Sequence, residues 1–364
     1  MKRPLTLAIL ILIVILFSCK KDDKEETIEP TPTPDTSVQF DLGQVPYPNL
    51  SDYQFFTGTL ADLQPNSRVL PYDVITPLFS DYAHKKRFVW MPQGVSASYV
   101  SDGTLLNFPD GTVFIKNFYY DHVLPNHTTR ILETRLMYKK DGNWKFADYT
   151  WNDAQTEATF SLDGSHVPVD WEDESGNTHN VNFRIPSEVE CFTCHKTYDV
   201  ATPIGPKPQN LNSTFTYSDG SMNQLARWVQ EGYLEPGYPE NIVTVPDWTD
   251  ESQPLLERVR AYVDMNCAHC HKEGSHCSYR PLRFAYTETT TETNLGVCVL
   301  PQEVINSSLT HIISRGKPNR SVMFFRLNNT EEQFRMPLLG RTVIHEEAVQ
   351  LFEAYINSLT PDCE

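Results

Sequence analysis

Apolar positions follow three regimes along the chain. An unbroken apolar run extends from Leu5 to Phe17 behind a charged start at Lys2 and Arg3. From Tyr47 to about Pro186 the apolar residues gather in short runs rich in β-branched and aromatic side chains, namely Arg87–Met91, Thr112–Lys116, Ile131–Tyr138 and Trp144–Trp151. Asp-Gly pairs beginning at Asp102, Asp110, Asp141 and Asp163 mark turns, and strands at this spacing predict an all-β, sandwich-like domain over residues 46–186. Towards the C-terminus the period lengthens. Leu255, Leu256, Val259, Tyr262 and Val263 place one apolar stripe on a helix, and Ile344, Ala348, Leu351, Phe352, Tyr355, Ile356 and Leu359 place a second. The second stripe opens at His345-Glu346-Glu347, whose acids suit a helix N-terminus. A further short helix is expected over Asn223–Trp228.

The Leu5–Phe17 run is too short to span a bilayer comfortably and is flanked as an export signal is, so residues 1–18 read as a signal peptide. Residues 19–45 carry the charge run Lys20–Glu26 and a Pro/Thr alternation from Glu29 to Asp35. They hold too few apolar groups to offset ordering entropy and read as an extended tether. Removing Lys2 and Arg3 takes the formal charge from −17 to −19. Nucleic acid is not an expected partner, whereas a protein presenting a basic patch would be steered towards this chain. The roughly 320 residues beyond the tether suffice for two or three domains.

The chemistry lies in two pentapeptides, Cys191-Phe-Thr-Cys194-His195 and Cys267-Ala-His-Cys270-His271. Two residues between the cysteines let both thiols reach the two vinyl groups of a haem from one helical turn, and the next imidazole lies under the iron. Zinc ribbons and thiol redox pairs also use CxxC, but neither accounts for a histidine after both copies. The chain therefore reads as a di-haem c-type cytochrome with two covalently bound haem c groups, attached through Cys191 and Cys194 and through Cys267 and Cys270. The proximal ligands would be His195 and His271.

The expected architecture is multidomain: the β domain, a first haem segment over 187–250, and a second haem domain over 251–364, the last two mostly α-helical and cytochrome c-like. Met336, followed by Pro337 and lying between the two helical stripes, is the expected sixth ligand of the second haem, ahead of Met323 and Met265. A thioether favours Fe(II) and raises the potential relative to bis-histidine ligation. For the first haem Met222 ranks ahead of His166 and His179. Cys277, Cys298 and Cys363 remain. Cys277 and Cys298 bracket a β-hairpin excursion expected over Tyr279–Val297, and a bridge between them would close a loop of about twenty residues, worth up to about 3 kcal/mol on the chain-entropy model. The other two pairings stay open.

Several stretches carry a resemblance. Leu16-Phe17-Ser18-Cys19 resembles the lipobox of bacterial lipoproteins, which implies acylation of Cys19 and a lipid anchor in the outer membrane, facing periplasm or cell surface. The lysines and acids that follow are similar to a lipoprotein surface-export signal. Pro71–Asp81, Glu133-Thr-Arg135, Tyr149-Thr-Trp151, Gly205-Pro-Lys207, Gln209–Asn212 and Asn266–His271 resemble a family of exported di-haem c-type cytochromes of unassigned role, over about Tyr47 to Leu359. The order helix, haem motif, Met-Pro, closing helix is that of class I cytochromes c, and Arg315–Pro318 through Met336-Pro337 is similar to cytochrome modules appended to sugar dehydrogenases. The resemblance implies an electron carrier working with a redox partner such as a periplasmic dehydrogenase or a terminal acceptor. The alternative is a di-haem peroxidase-like enzyme with the first haem as substrate site.

Overall fold

A computed structural model describes residues Ser37–Cys363; Cys19 and the expected signal peptide lie outside the described residues. The strands expected from the short apolar runs are present. A small hairpin of β1 (Phe56–Thr57) and β2 (Gln64–Pro65) precedes β3 (Leu70–Tyr72), β4 (His84–Trp90), β5 (Val113–Val123), β6 (Thr128–Lys140), β7 (Asn143–Trp151), β8 (Ala158–Phe160), β9 (Ser165–Glu172) and β10 (Thr178–Ile185). Strands β3 to β10 form one eight-stranded antiparallel sheet in which β5 pairs with β4, β6 and, at Val123, β9. Between β6 and β7 the chain reverses through Asp141-Gly142, both at positive φ (52° and 74°), with Lys140 facing Asn143. A two-residue hairpin loop demands that conformation, and Asp-Gly adopts it at low cost.

Both faces of the sheet are buried. Phe88, Trp90, Val113 and Ile115 pack on one side against Tyr53 and Phe55 from the N-terminal segment. Their neighbours Val89 and Phe114 point the other way, towards Leu225 and Trp228. The alternation of side chains along a strand thus supplies two apolar faces.

The remaining elements are short. They are α1 (Glu188–Cys194), the hairpin β11 (Lys196–Thr197) and β12 (Val200–Ala201), α2 (Pro208–Leu211), the hairpin β13 (Thr214–Tyr217) and β14 (Gly220–Asn223), α3 (Gln224–Gln230), α4 (Leu255–Asn266), α5 (Glu292–Leu295), α6 (Val322–Leu327) and α7 (Glu346–Ser358). Helix α3 begins where expected because the Asn223 side chain accepts from the N–H groups of Leu225 and Ala226, at 3.0 and 3.2 Å. The two apolar stripes become α4 and α7, which pack together through Val259, Tyr262, Val263, Ala348, Phe352 and Ile356.

The expected fold class does not hold. Instead of a β-sandwich followed by mostly α-helical haem domains, the chain is β-rich, with several sheets and seven short helices among the described residues, the longest of 13 residues. The second layer of the supposed sandwich is replaced by loops and α3 lying on the sheet. Downstream, only α4 and α7 carry full apolar stripes; Pro203 and Pro206 keep the chain after the first motif from continuing as a helix, and Pro208 opens only the four-residue α2, at a position where its missing N–H is not needed. Residues 186 and 250, the expected boundaries, fall inside one compact unit that comprises the described residues.

Candidate functional site

Both pentapeptides close with the same backbone bond, the first within α1 and the second in the turn that follows α4. Helix α1 starts at Ser187, whose N–H donates to the Glu190 carboxylate at 2.9 Å, and ends with His195 N–H donating to Cys191 O at 2.9 Å. At the end of α4 the His271 N–H donates to Cys267 O at 3.0 Å. This closure puts both thiols and the imidazole of each copy on one side of the backbone. Cys267, Cys270 and His271 line one cavity of about 260 Å³, together with Met336, Met323, Phe284 and Leu327. Cys191, Cys194 and His195 line a second of about 140 Å³. The cavities share a wall made by Cys194, His269, Pro337 and Leu339.

Each imidazole is held as a neutral ring. His195 Nδ1 lies 3.1 Å from Thr202 O, and Phe146 meets the ring edge-on at 5.7 Å. Burial drives its pKa down to about 3, against the opposing carbonyl contact. His271 has Phe284 against it at 5.1 Å; its Nδ1 is buried without a partner among the described residues, and burial lowers its pKa to about 4. The first thiol of each motif, Cys191 and Cys267, is pushed up to about 12 by burial. Cys194, His269 and Cys270 bring one donor atom each within 4.8 Å of one another. The Cys270 thiol and, against burial, His269 draw the Cys194 pKa well below the usual thiol range, while Cys270 is raised by the same contact with Cys194.

Met336, the expected sixth ligand of the second haem, lines the His271 cavity. Its N–H donates to Arg326 O at 3.1 Å and its carbonyl accepts from Arg341 Nε at 3.0 Å. Arg341, buried, also donates to the carbonyls of Arg326, Asn329 and Val343, so a single guanidinium ties the Met-Pro loop to α6. No sequence motif pointed to it. Met222, expected as the sixth ligand of the first haem, does not line the His195 cavity; it sits on β14 and packs against the cluster of Leu225 and Trp228. His166 and His179 are exposed on β9 and β10, and His179 is engaged by Asp173 at 2.7 Å.

The motif residues of the resemblance join the two turns. Phe79 N–H donates to Asn266 Oδ1 at 2.8 Å, Thr76 N–H to Asn210 Oδ1 at 3.0 Å, and Asp81 accepts from Thr342 and Val343 N–H at 2.6 and 3.1 Å. Lys207 and Asp264 form a largely buried ion pair at 2.7 Å, to which Gln209 and the Tyr286 N–H add. Segment 71–81 and the loop after the first motif therefore both hold the end of α4.

The cysteine pairing also differs from expectation. Cys298 bonds Cys363, with Cα atoms 5.4 Å apart, and Cys277 is a buried free thiol on the first cavity's wall. Tyr279–Val297 forms turns and α5 instead of a β-hairpin, which carries Cys298 to the C-terminal segment and away from Cys277. No family model matches the chain, and no curated protein or solved structure matches it either, so the arrangement of side chains alone carries the functional reading.

Proposed function

We propose that the protein is a di-haem c-type cytochrome that relays electrons in the periplasm or at the cell surface, held to the outer membrane by acylated Cys19 and working with a dehydrogenase or a terminal acceptor. The carrying observation is duplication: two Cys-x-x-Cys-His turns with the same closing bond each face their own largely apolar cavity, and the cavities share a wall. A single soft metal ion at Cys194, His269 and Cys270 would use three donors and leave Cys191, Cys267, His195 and His271 without a role. Two haems use all four motif cysteines and both terminal histidines. The donor set suits them, since a carbonyl on His195 Nδ1 fixes the tautomer and orients the other ring nitrogen for a metal.

When bound, each haem supplies one-electron chemistry at its iron. The chain does the rest. Thiols anchor, apolar walls exclude water, Thr202 orients His195, and Arg326 and Arg341 position the Met336 backbone. Met336, which lines the same cavity as His271, could supply a thioether to the haem held there, and such a ligand would favour the ferrous state and raise that site's potential. Protein made in cells with cytochrome c maturation machinery should carry two covalent haems by intact mass, and Cys191→Ala with Cys194→Ala should leave one. Zinc in place of haem, or neither, rejects the reading.

A further inference from the structure

The wall of the His195 cavity carries a charge pattern that the electron-relay reading leaves unused. Arg87 on β4, Lys116 on β5 and Arg135 on β6 are direct register partners, so three cations stand side by side on one face of the sheet, and all three line the cavity. Like charges directly opposite one another across strands repel. The outer two are compensated. Arg87 Nη1 meets Asp73 Oδ1 at 2.5 Å, and Arg135 is bonded to Glu133 and lies 3.9 Å from Asp148. Lys116, in the middle, has no hydrogen bond or ion pair among the described residues; its Nζ lies 4.9 Å from the centre of the Phe118 ring. Burial, then Arg87, pushes the Lys116 pKa well below its ordinary value. Glu133, the acid that acts on Lys116, is already bonded to Arg135, and Asp148 beyond it is driven well above the carboxylate range by burial and then by Glu133, so it is pressed towards its neutral form. A half-buried ammonium that faces two guanidinium groups and has no acid bonded to it is unfavourable, and an oxyanion entering the cavity would relieve both the repulsion and the desolvation.

We propose that the row Arg87, Lys116 and Arg135 is a carboxylate-binding site that receives the propionates of the haem attached at Cys191 and Cys194, with Lys116 as the donor held free for them. This rests on the haem reading above. A small free carboxylate shares the chemistry, and the experiment separates the two sources. In the holoprotein, Lys116→Met should leave both haems attached by intact mass and lower the midpoint potential of one haem only, because removing a nearby positive charge stabilises Fe(III). Lys116→Arg should restore the wild-type potential. Unchanged potentials in Lys116→Met protein carrying two haems overturn the proposal, whereas loss of haem from wild-type protein overturns the haem reading instead. If acetate shifts the wild-type potential or Soret band and Lys116→Met abolishes that response, the site belongs to a free carboxylate and the propionate assignment fails. Should Lys116→Met not accumulate, resonance Raman of the wild-type holoprotein decides: a propionate-bending band at the hydrogen-bonded position is expected, and bands all at the free-carboxylate position overturn the proposal.

Discussion

His345 stacks on Phe79 with ring centroids 3.9 Å apart, and the Tyr262 hydroxyl lies 3.0 Å from its Nδ1. Burial lowers its pKa from 6.5 to about 4, with Glu347 opposing. Above the unfolded value both states are neutral and the full stability is present; as pH falls from about 6.5 towards about 4 the unfolded chain takes up a proton that the native ring refuses, so stability is lost. The effect is at most about 3.5 kcal/mol, from roughly 1.4 kcal/mol for each unit of pKa. Urea midpoints measured across this window should fall less steeply in His345→Phe than in the wild type; coincident slopes would assign the acid sensitivity elsewhere. In the sequence His345 reads as the residue before two helix-starting acids. Its burial depends on Phe79, more than 200 residues away in the chain, which no local pattern reveals.

At the scale of elements, the apolar stripes were legible because a helix face repeats in sequence. Ile356 of α7 is fully buried in the cluster shared with Val259 and Val263 of α4. Truncation there removes contacts that neighbouring turns cannot refill, and Ile356→Ala should cost about 2–5 kcal/mol of unfolding free energy. Denaturant unfolding checks this, and a loss below about 1 kcal/mol would mean that α7 is not packed as described. The central strands β4 to β7 were equally legible, down to the Asp141-Gly142 turn, whereas β3, β8, β9 and β10 were not. Nor was the covering of the sheet. Phe88 and Val89 are adjacent apolar residues, and only the tertiary fold assigns one to the N-terminal segment and the other to the side facing α3.

Across the whole molecule, the Cys298–Cys363 bond ties the C-terminal segment to the residues after α5 across 65 positions. Closing a loop of that size constrains the unfolded chain by about 4 kcal/mol on the entropy model, more than the twenty-residue loop expected from sequence. Cys363→Ser should therefore lower stability by up to about 4 kcal/mol and leave Cys298 as a new titratable thiol, whereas Cys277→Ser should leave the bridge intact. Thiol counting on denatured, non-reduced protein together with urea unfolding checks both. A Cys277→Ser variant that frees another thiol would reverse the assignment.

Local order in the chain determined what depends on neighbours in sequence: the strands β4 to β7, the helices α3, α4 and α7, the two Cys-x-x-Cys-His turns, and Met336 on the loop before the closing helix. These follow from periodicities of two and near 3.6 residues and from spacing within one turn, which a backbone enforces by itself. Tertiary structure alone decided what depends on residues far apart. It folded the second half into short helices and turns, with α3 on the sheet and α4 and α7 in a cluster of their own, instead of mostly helical haem domains, kept Met222 off the His195 cavity, and paired Cys298 with Cys363. It also aligned Arg87, Lys116 and Arg135 into one row. Register between strands is set by packing and turns, and no composition along a single strand discloses which charges will face one another across it.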